Sequence, residues 1–100
     1  MIKIKEVYIE HAKYRPDQEG YAQPHVRAKS IYNRRDCLLN SNYIVAIYPH
    51  KFESSVDEVM LQDHFTPDTE FTRVILDGNS FRSSEIIVEM PYAELAERLS

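Results

Sequence analysis

Six consecutive apolar or aromatic residues, Tyr43-Ile44-Val45-Ala46-Ile47-Tyr48, end abruptly at Pro49. A run this short, rich in β-branched and aromatic side chains and stopped by a residue with no backbone donor, reads as a core strand. A core strand needs neighbours on its edges, and the chain supplies them. Glu70-Phe71-Thr72-Arg73-Val74-Ile75-Leu76 has strand texture. Asp77-Gly78 follows as a hairpin-type turn, with Asn79-Ser80-Phe81-Arg82-Ser83 expected to run back and Ile86-Ile87-Val88 to continue the sheet. At the other end, Ile2-Lys3-Ile4-Lys5-Glu6-Val7-Tyr8-Ile9 alternates apolar and charged residues, then shifts phase at Glu6-Val7. Alternation marks a half-buried strand, and the shift suggests a bulge or bend.

Between these strands the texture varies. His11 to Pro24, with Pro16, Asp17, Gly20 and scattered tyrosines, reads as a long loop. Val26 to Tyr32 resumes a strand, Asn33-Arg34-Arg35-Asp36 is turn-like, and Cys37-Leu38-Leu39 is a short apolar strand closed by Asn40-Ser41-Asn42. Ser55 followed by Glu58 fits a capping box, and Val56, Val59 and Met60 fall at helical spacing. A short helix over about 56–63 is therefore expected, with an edge strand as the alternative. Pro67-Asp68 is a turn. Pro91 suits the first turn of a last helix whose apolar stripe is Tyr92, Leu95, Ala96 and Leu99. With 100 residues, the chain reads as one domain, 1–100. Its class is α+β, mainly β: a small curled antiparallel sheet with a C-terminal helix.

Composition removes several function classes. No apolar run approaches the ~18 residues of a membrane span, so no membrane partner is expected. Met1-Ile2-Lys3-Ile4-Lys5-Glu6 lacks the apolar segment of a secretory leader, and Cys37 is the lone cysteine, so a cytoplasmic setting is expected. Cys37 lies between Asp36 and Leu38 without a nucleophile signature and is expected to be an inert thiol. The four histidines, His11, His25, His50 and His64, are too widely spaced for a local zinc motif, so no metal is expected. Gly20 and Gly78 are the two glycines, too few for a phosphate-cradling loop; no cofactor and no catalytic residue are expected.

Charge is distributed unevenly. Residues 1–50 carry eight cations against five acids, whereas residues 51–100 carry four against eleven. The basic part concentrates in Arg27, Lys29, Arg34 and Arg35 around Tyr32, a combination of phosphate-binding cations and a stacking ring used by single-stranded nucleic-acid sites. The acidic part includes Glu53, Asp57, Glu58, Asp63, Asp68 and Glu70 against Lys51, a surface for a basic partner. Asp57, Glu58 and Asp63 are its candidate contacts. Complementary patches also permit a homodimer through a sheet edge.

The order of elements, with Leu39-Asn40-Ser41-Asn42-Tyr43-Ile44-Val45-Ala46-Ile47, then Val74-Ile75-Leu76-Asp77-Gly78, then Ile87-Val88-Glu89 before a short helix, resembles the FlbD-like proteins of bacterial flagellar and phage settings. Asn40, Ile44, Ile47, Gly78 and Glu89 fall at the matching places, over about residues 37–99. Met90 and Pro91 stand where that family has a Ser or Thr cap. The resemblance implies a β-rich module of a bacterial or phage cytoplasm and no catalytic residues. The functional expectation is a non-enzymatic interaction module that binds a protein through charged and Tyr-bearing loops. A small nucleic-acid binder using residues 25–35 is the alternative.

Overall fold

A computed structural model describes residues 1–13, 28–78 and 84–100. Among these residues, five strands form one antiparallel sheet: β1 (Ile2–Lys13), β2 (Ala28–Leu39), β3 (Ile44–His50), β4 (Phe71–Leu76) and β5 (Glu85–Val88). Two helices, α1 (Ser55–Leu61) and α2 (Tyr92–Leu99), complete it. The fold is the mainly β arrangement with a C-terminal helix that the patterning predicts. The strand order is β2-β1-β5-β4-β3, so β2 and β3 are the two edges even though they are consecutive in the chain.

That connection forces the sheet to curl. Four inter-strand steps across a flat sheet would separate the edges by roughly 19 Å. The link from Leu39 to Ile44 passes through a single 3-10 turn, Ser41–Tyr43, and 3-10 residues rise only about 2 Å each. The edges can be joined this way only if they approach each other at that end. Asn40 shapes the turn by accepting a hydrogen bond from the Asn42 backbone amide at 3.0 Å. Leu39 and Ile44 pack into the same core.

Both faces of the sheet are used, which explains the phase shift in β1. On one face Ile4, Leu39, Val74, Leu76, Val88 and Met90 surround Leu95 of α2. On the other face Val7 packs with Phe65 and Phe71. Ile4 and Val7 are three residues apart, so in an extended strand they point to opposite faces. The pairing of β1 with β2 runs without a break from Ile2↔Leu39 to Lys13↔Ala28. The bulge expected at Glu6-Val7 is therefore absent from that ladder; the strand passes from one core to the other. A register irregularity lies instead between Ile44 and Ala46 of β3, and it lets Ile44 and Ile47 both pack on the α2 face.

Several local expectations change for physical reasons. The strand β1 reaches Lys13, so His11–Lys13 are strand rather than loop; 14–27, including most of the expected loop, lie outside the described residues. Asn33–Asp36 are not a turn. They continue β2 opposite Tyr8–Lys5, because polar side chains there find cross-strand partners: Asn33 donates to Glu10 at 3.0 Å, Arg35 to Glu6 at 2.9 Å, and Lys5 to Asp36. The hairpin after β4 is wider than a two-residue Asp-Gly turn. Ile75 pairs with Glu85, and the Leu76 amide donates to the Ser84 carbonyl at 2.8 Å. The expected return strand over 79–83 lies outside the described residues.

The helix α1 starts one residue earlier than the capping pattern suggests. Ser54 is the cap, its hydroxyl accepting from the Asp57 amide at 3.1 Å. Val56 and Val59 are 67% and 56% exposed, so the predicted apolar stripe does not face the sheet. At α2, Pro91 occupies the cap position without a side-chain cap, and its carbonyl accepts from the amides of Glu94 and Leu95. Thr72, fully buried, donates its hydroxyl to the Met90 carbonyl at 2.7 Å, which fixes the chain as it leaves the sheet.

Leu95 is 1% exposed and is the residue by which α2 enters the core. Leu95→Ala is expected to lower stability by about 2–4 kcal/mol, the usual range for emptying a buried leucine site. Val59→Ala on the exposed side of α1 is expected to change it by no more than about 0.5 kcal/mol. Urea unfolding of the two variants followed by circular dichroism checks both values.

Candidate functional site

Two regions carry the candidate residues: the strand β2 and the segment 49–71 that includes α1. Of the basic set, Arg34 and Arg35 are the side chains that the structure describes. Arg27 lies outside the described residues, and Lys29 is placed by its backbone pairing with Ala12. Alternation puts Arg34 and Arg35 on opposite faces of the sheet. The structure does not bring them together as one cationic surface.

Arg34 is built into the fold. Its Nε and Nη2 donate to the two carboxylate oxygens of Glu89 at 2.6 and 2.9 Å, its Nη2 also donates to the His64 carbonyl at 2.6 Å, and its guanidinium lies 4.4 Å from the Phe65 ring centre. A forked guanidinium satisfied by a carboxylate, a carbonyl and a ring is a structural anchor. Arg35 pairs with Glu6 and stacks on Tyr8 at 4.6 Å. The Glu6 hydrogen bond and charge push its pKa above the ordinary arginine value. Asp36 is held below the usual carboxylate range by the Lys5 ammonium bonded to it.

Tyr32 is also engaged. Its hydroxyl donates to Asp57 Oδ1 at 2.9 Å, tying β2 to α1, and its ring lies 4.8 Å from that of Phe52. Burial, then the hydrogen bond to Asp57 and its negative charge, raise its pKa to about 12. This accounts for one of the three predicted acidic contacts, since Asp57 is occupied from inside. Asp63 also has a partner within the chain. Cys37 is half-buried, and burial followed by the charge of Glu6 pushes its thiol up, away from the reactive thiolate.

Glu58 alone of the three acids lines an open groove of about 1000 Å³ between α1, the segment 62–70 and the end of β3. Its apolar lining includes Phe52, Leu61, Phe65 and Phe71. The rings form a continuous cluster: Phe52 meets Phe71 at 4.9 Å and His50 at 4.6 Å, both edge-on, and Phe71 meets Phe65 at 5.4 Å. Glu53, Glu58, Asp68 and Glu70 are exposed at this groove, with Lys51 the one Lys or Arg among its lining residues. A smaller hollow of about 500 Å³ between β3 and α2 has no charged side chain in its lining.

The aromatic floor is the part that sequence patterning does not single out. Phe52, Phe65 and Phe71 are separated by 13 and 6 positions, with no common period. Phe52 and Phe65 lie inside the Pro49–Pro67 stretch and Phe71 lies beyond it, so no local pattern groups the three. Among the described residues, no group of three or more His, Cys, Asp or Glu is placed to hold a metal ion, and no helix is long and apolar enough to cross a membrane. No family model matches the chain, and searches of curated proteins and of solved structures return no match.

Two measurements follow from this geometry. Arg34→Lys keeps the charge but loses the fork and the ring contact, and is expected to cost about 1–3 kcal/mol in urea unfolding. A charge-reversing change at Arg34 would thus read out folding before any ligand. For Tyr32 the folded pKa is raised, so its contribution to stability is fully present below pH 10, the ordinary tyrosine value, and is lost as pH rises through about 12. Tyr32→Phe is expected to flatten the fall in melting temperature between pH 9 and pH 12 relative to the parent protein.

Proposed function

We propose that the protein is an interaction module whose groove takes a basic segment of a partner protein. The supporting observation is the pairing of an aromatic floor with a carboxylate rim. Rings and Leu61 offer an apolar seat, while Glu53, Glu58, Asp68 and Glu70 outnumber Lys51 around it. A segment with an apolar residue to bury and cations to face the rim matches both features. Tyr92, in the groove lining and 41% exposed, would enlarge the contact.

The engagement of the basic strand supports the same reading. Arg34 and Arg35 spend their hydrogen bonds on Glu89, the His64 carbonyl and Glu6, so the acidic groove is the more available charged feature. The kinship with FlbD-like proteins belongs to this proposal as well. Of the residues that carry it, Asn40 shapes the 3-10 turn, Ile44 and Ile47 pack on the α2 core, and Glu89 holds Arg34.

The test is a fluorescence-anisotropy titration with a lysine- and arginine-bearing peptide containing leucine, and with its glutamate-substituted counterpart. The basic peptide is expected to bind in a salt-sensitive manner, and Glu53→Gln with Glu58→Gln to weaken it by about fivefold to thirtyfold, at roughly 0.5–1 kcal/mol per rim charge. Equal binding of the two peptides, binding of neither, or preference for a single-stranded oligonucleotide would overturn the proposal.

A further inference from the structure

The groove has two features that a lysine and an arginine would use differently. A lysine ammonium is a compact, strongly hydrated charge, satisfied by carboxylates and water. An arginine guanidinium is planar and weakly hydrated, so it can lie against an aromatic face and still direct its fork to a carboxylate. The floor presents Phe52 and Phe71 at 88° to one another, with exposed Glu53 and Glu70 each adjacent in sequence to one of these rings.

The fold already satisfies guanidinium groups in this way. Arg34 lies over Phe65, Arg35 over Tyr8 and Arg73 over Tyr48, at 4.4, 4.6 and 4.9 Å from the ring centres. In the first two the same guanidinium also donates to a glutamate, Glu89 or Glu6. Phe65 belongs both to the Arg34 stack and to the groove lining. Ring plus glutamate is therefore a guanidinium seat that occurs twice inside the molecule, and the groove repeats its components with no described side-chain cation bonded to Glu53 or Glu70.

We infer that the partner segment is anchored by an arginine side chain, its guanidinium against the Phe52–Phe71 rings and its fork on the carboxylates of the rim. This rests on the groove being the docking site for a basic segment, and it adds the identity of the anchor. Phe52 is the discriminating ring: it touches Tyr32, His50 and Phe71 and is only half-buried.

The experiment compares three otherwise identical short Ser-Gly peptides carrying Leu-Arg-Leu, Leu-Lys-Leu or Leu-citrulline-Leu at the centre, titrated by calorimetry at low salt. The arginine peptide is expected to bind about tenfold more tightly than the lysine peptide, and citrulline, planar but neutral, to bind more weakly still. Phe52→Leu, checked for folding by circular dichroism, is expected to reduce the arginine peptide to the affinity of the lysine peptide. Equal affinities of the arginine and lysine peptides for the parent protein would overturn the arginine anchor while leaving the basic-segment reading intact. Absence of binding by both would remove that reading and the anchor together. Should Phe52→Leu fail to fold, Glu53→Gln replaces it, with the same expected loss of preference for arginine.

Discussion

The sheet is two antiparallel units joined along a narrow seam, and Arg34 holds that seam. One unit is the β1–β2 hairpin, twelve residues a side; the other is the meander of β3, β4 and β5. Between them the strand pairing consists of Glu6↔Val88 and Val7↔Ile87, extended by the Glu89 amide donating to the Lys5 carbonyl at 2.9 Å. Glu89 is the next residue after β5, and its side chain takes the fork of Arg34 from β2. The same guanidinium reaches the His64 carbonyl and the Phe65 ring in the segment after α1. A single side chain thus links the hairpin, the meander and the wall of the groove. With so few ladder bonds across the seam, the two cores on opposite faces carry the remaining cohesion.

Placing Arg34 in this way inverts the role that its neighbourhood in the sequence suggests. Arg27, Lys29, Arg34 and Arg35 look like a patch because they are close in the chain. In a strand, adjacent residues face apart, and each described guanidinium there has a carboxylate at cross-strand or cross-seam distance. Glu89 lies 55 positions from Arg34, a separation at which charge patterning along the chain carries no signal. The acidic half behaves differently. Its excess is large enough that, after Asp57 is taken by Tyr32, carboxylates are left around an apolar concavity.

The fold was legible wherever local pattern and long-range packing agree. The apolar runs that became β3, β4 and β5, and the spacing of Leu95, Ala96 and Leu99 on α2, each report burial on a face whose period is set by the backbone. The β1 phase shift was legible as an irregularity but not as to its cause, because a bulge and a change of buried face leave the same trace in one strand. Asn33–Asp36 was misleading for a related reason: four polar residues resemble a turn unless their partners on β1 and at Glu89 are known. The aromatic floor was illegible, since Phe52, Phe65 and Phe71 meet only when β4 and the end of β3 bring the two ends of the segment 51–70 together.

The position of β1 has a consequence for how the chain is made. Among the five described strands it is synthesised first, yet its inner neighbour, β5, comes last. At ordinary elongation rates, roughly 5–20 residues per second, several seconds separate the emergence of the hairpin from that of residues 85–89. During that interval the inner edge of β1 is an open template for wrong partners. Lys3, Lys5, Glu6 and Glu10 place charges along this strand, and charged side chains beside an open edge disfavour pairing with other apolar strands. The pattern that first identifies β1 as half-buried therefore also guards the inner edge of the hairpin until its last neighbour arrives.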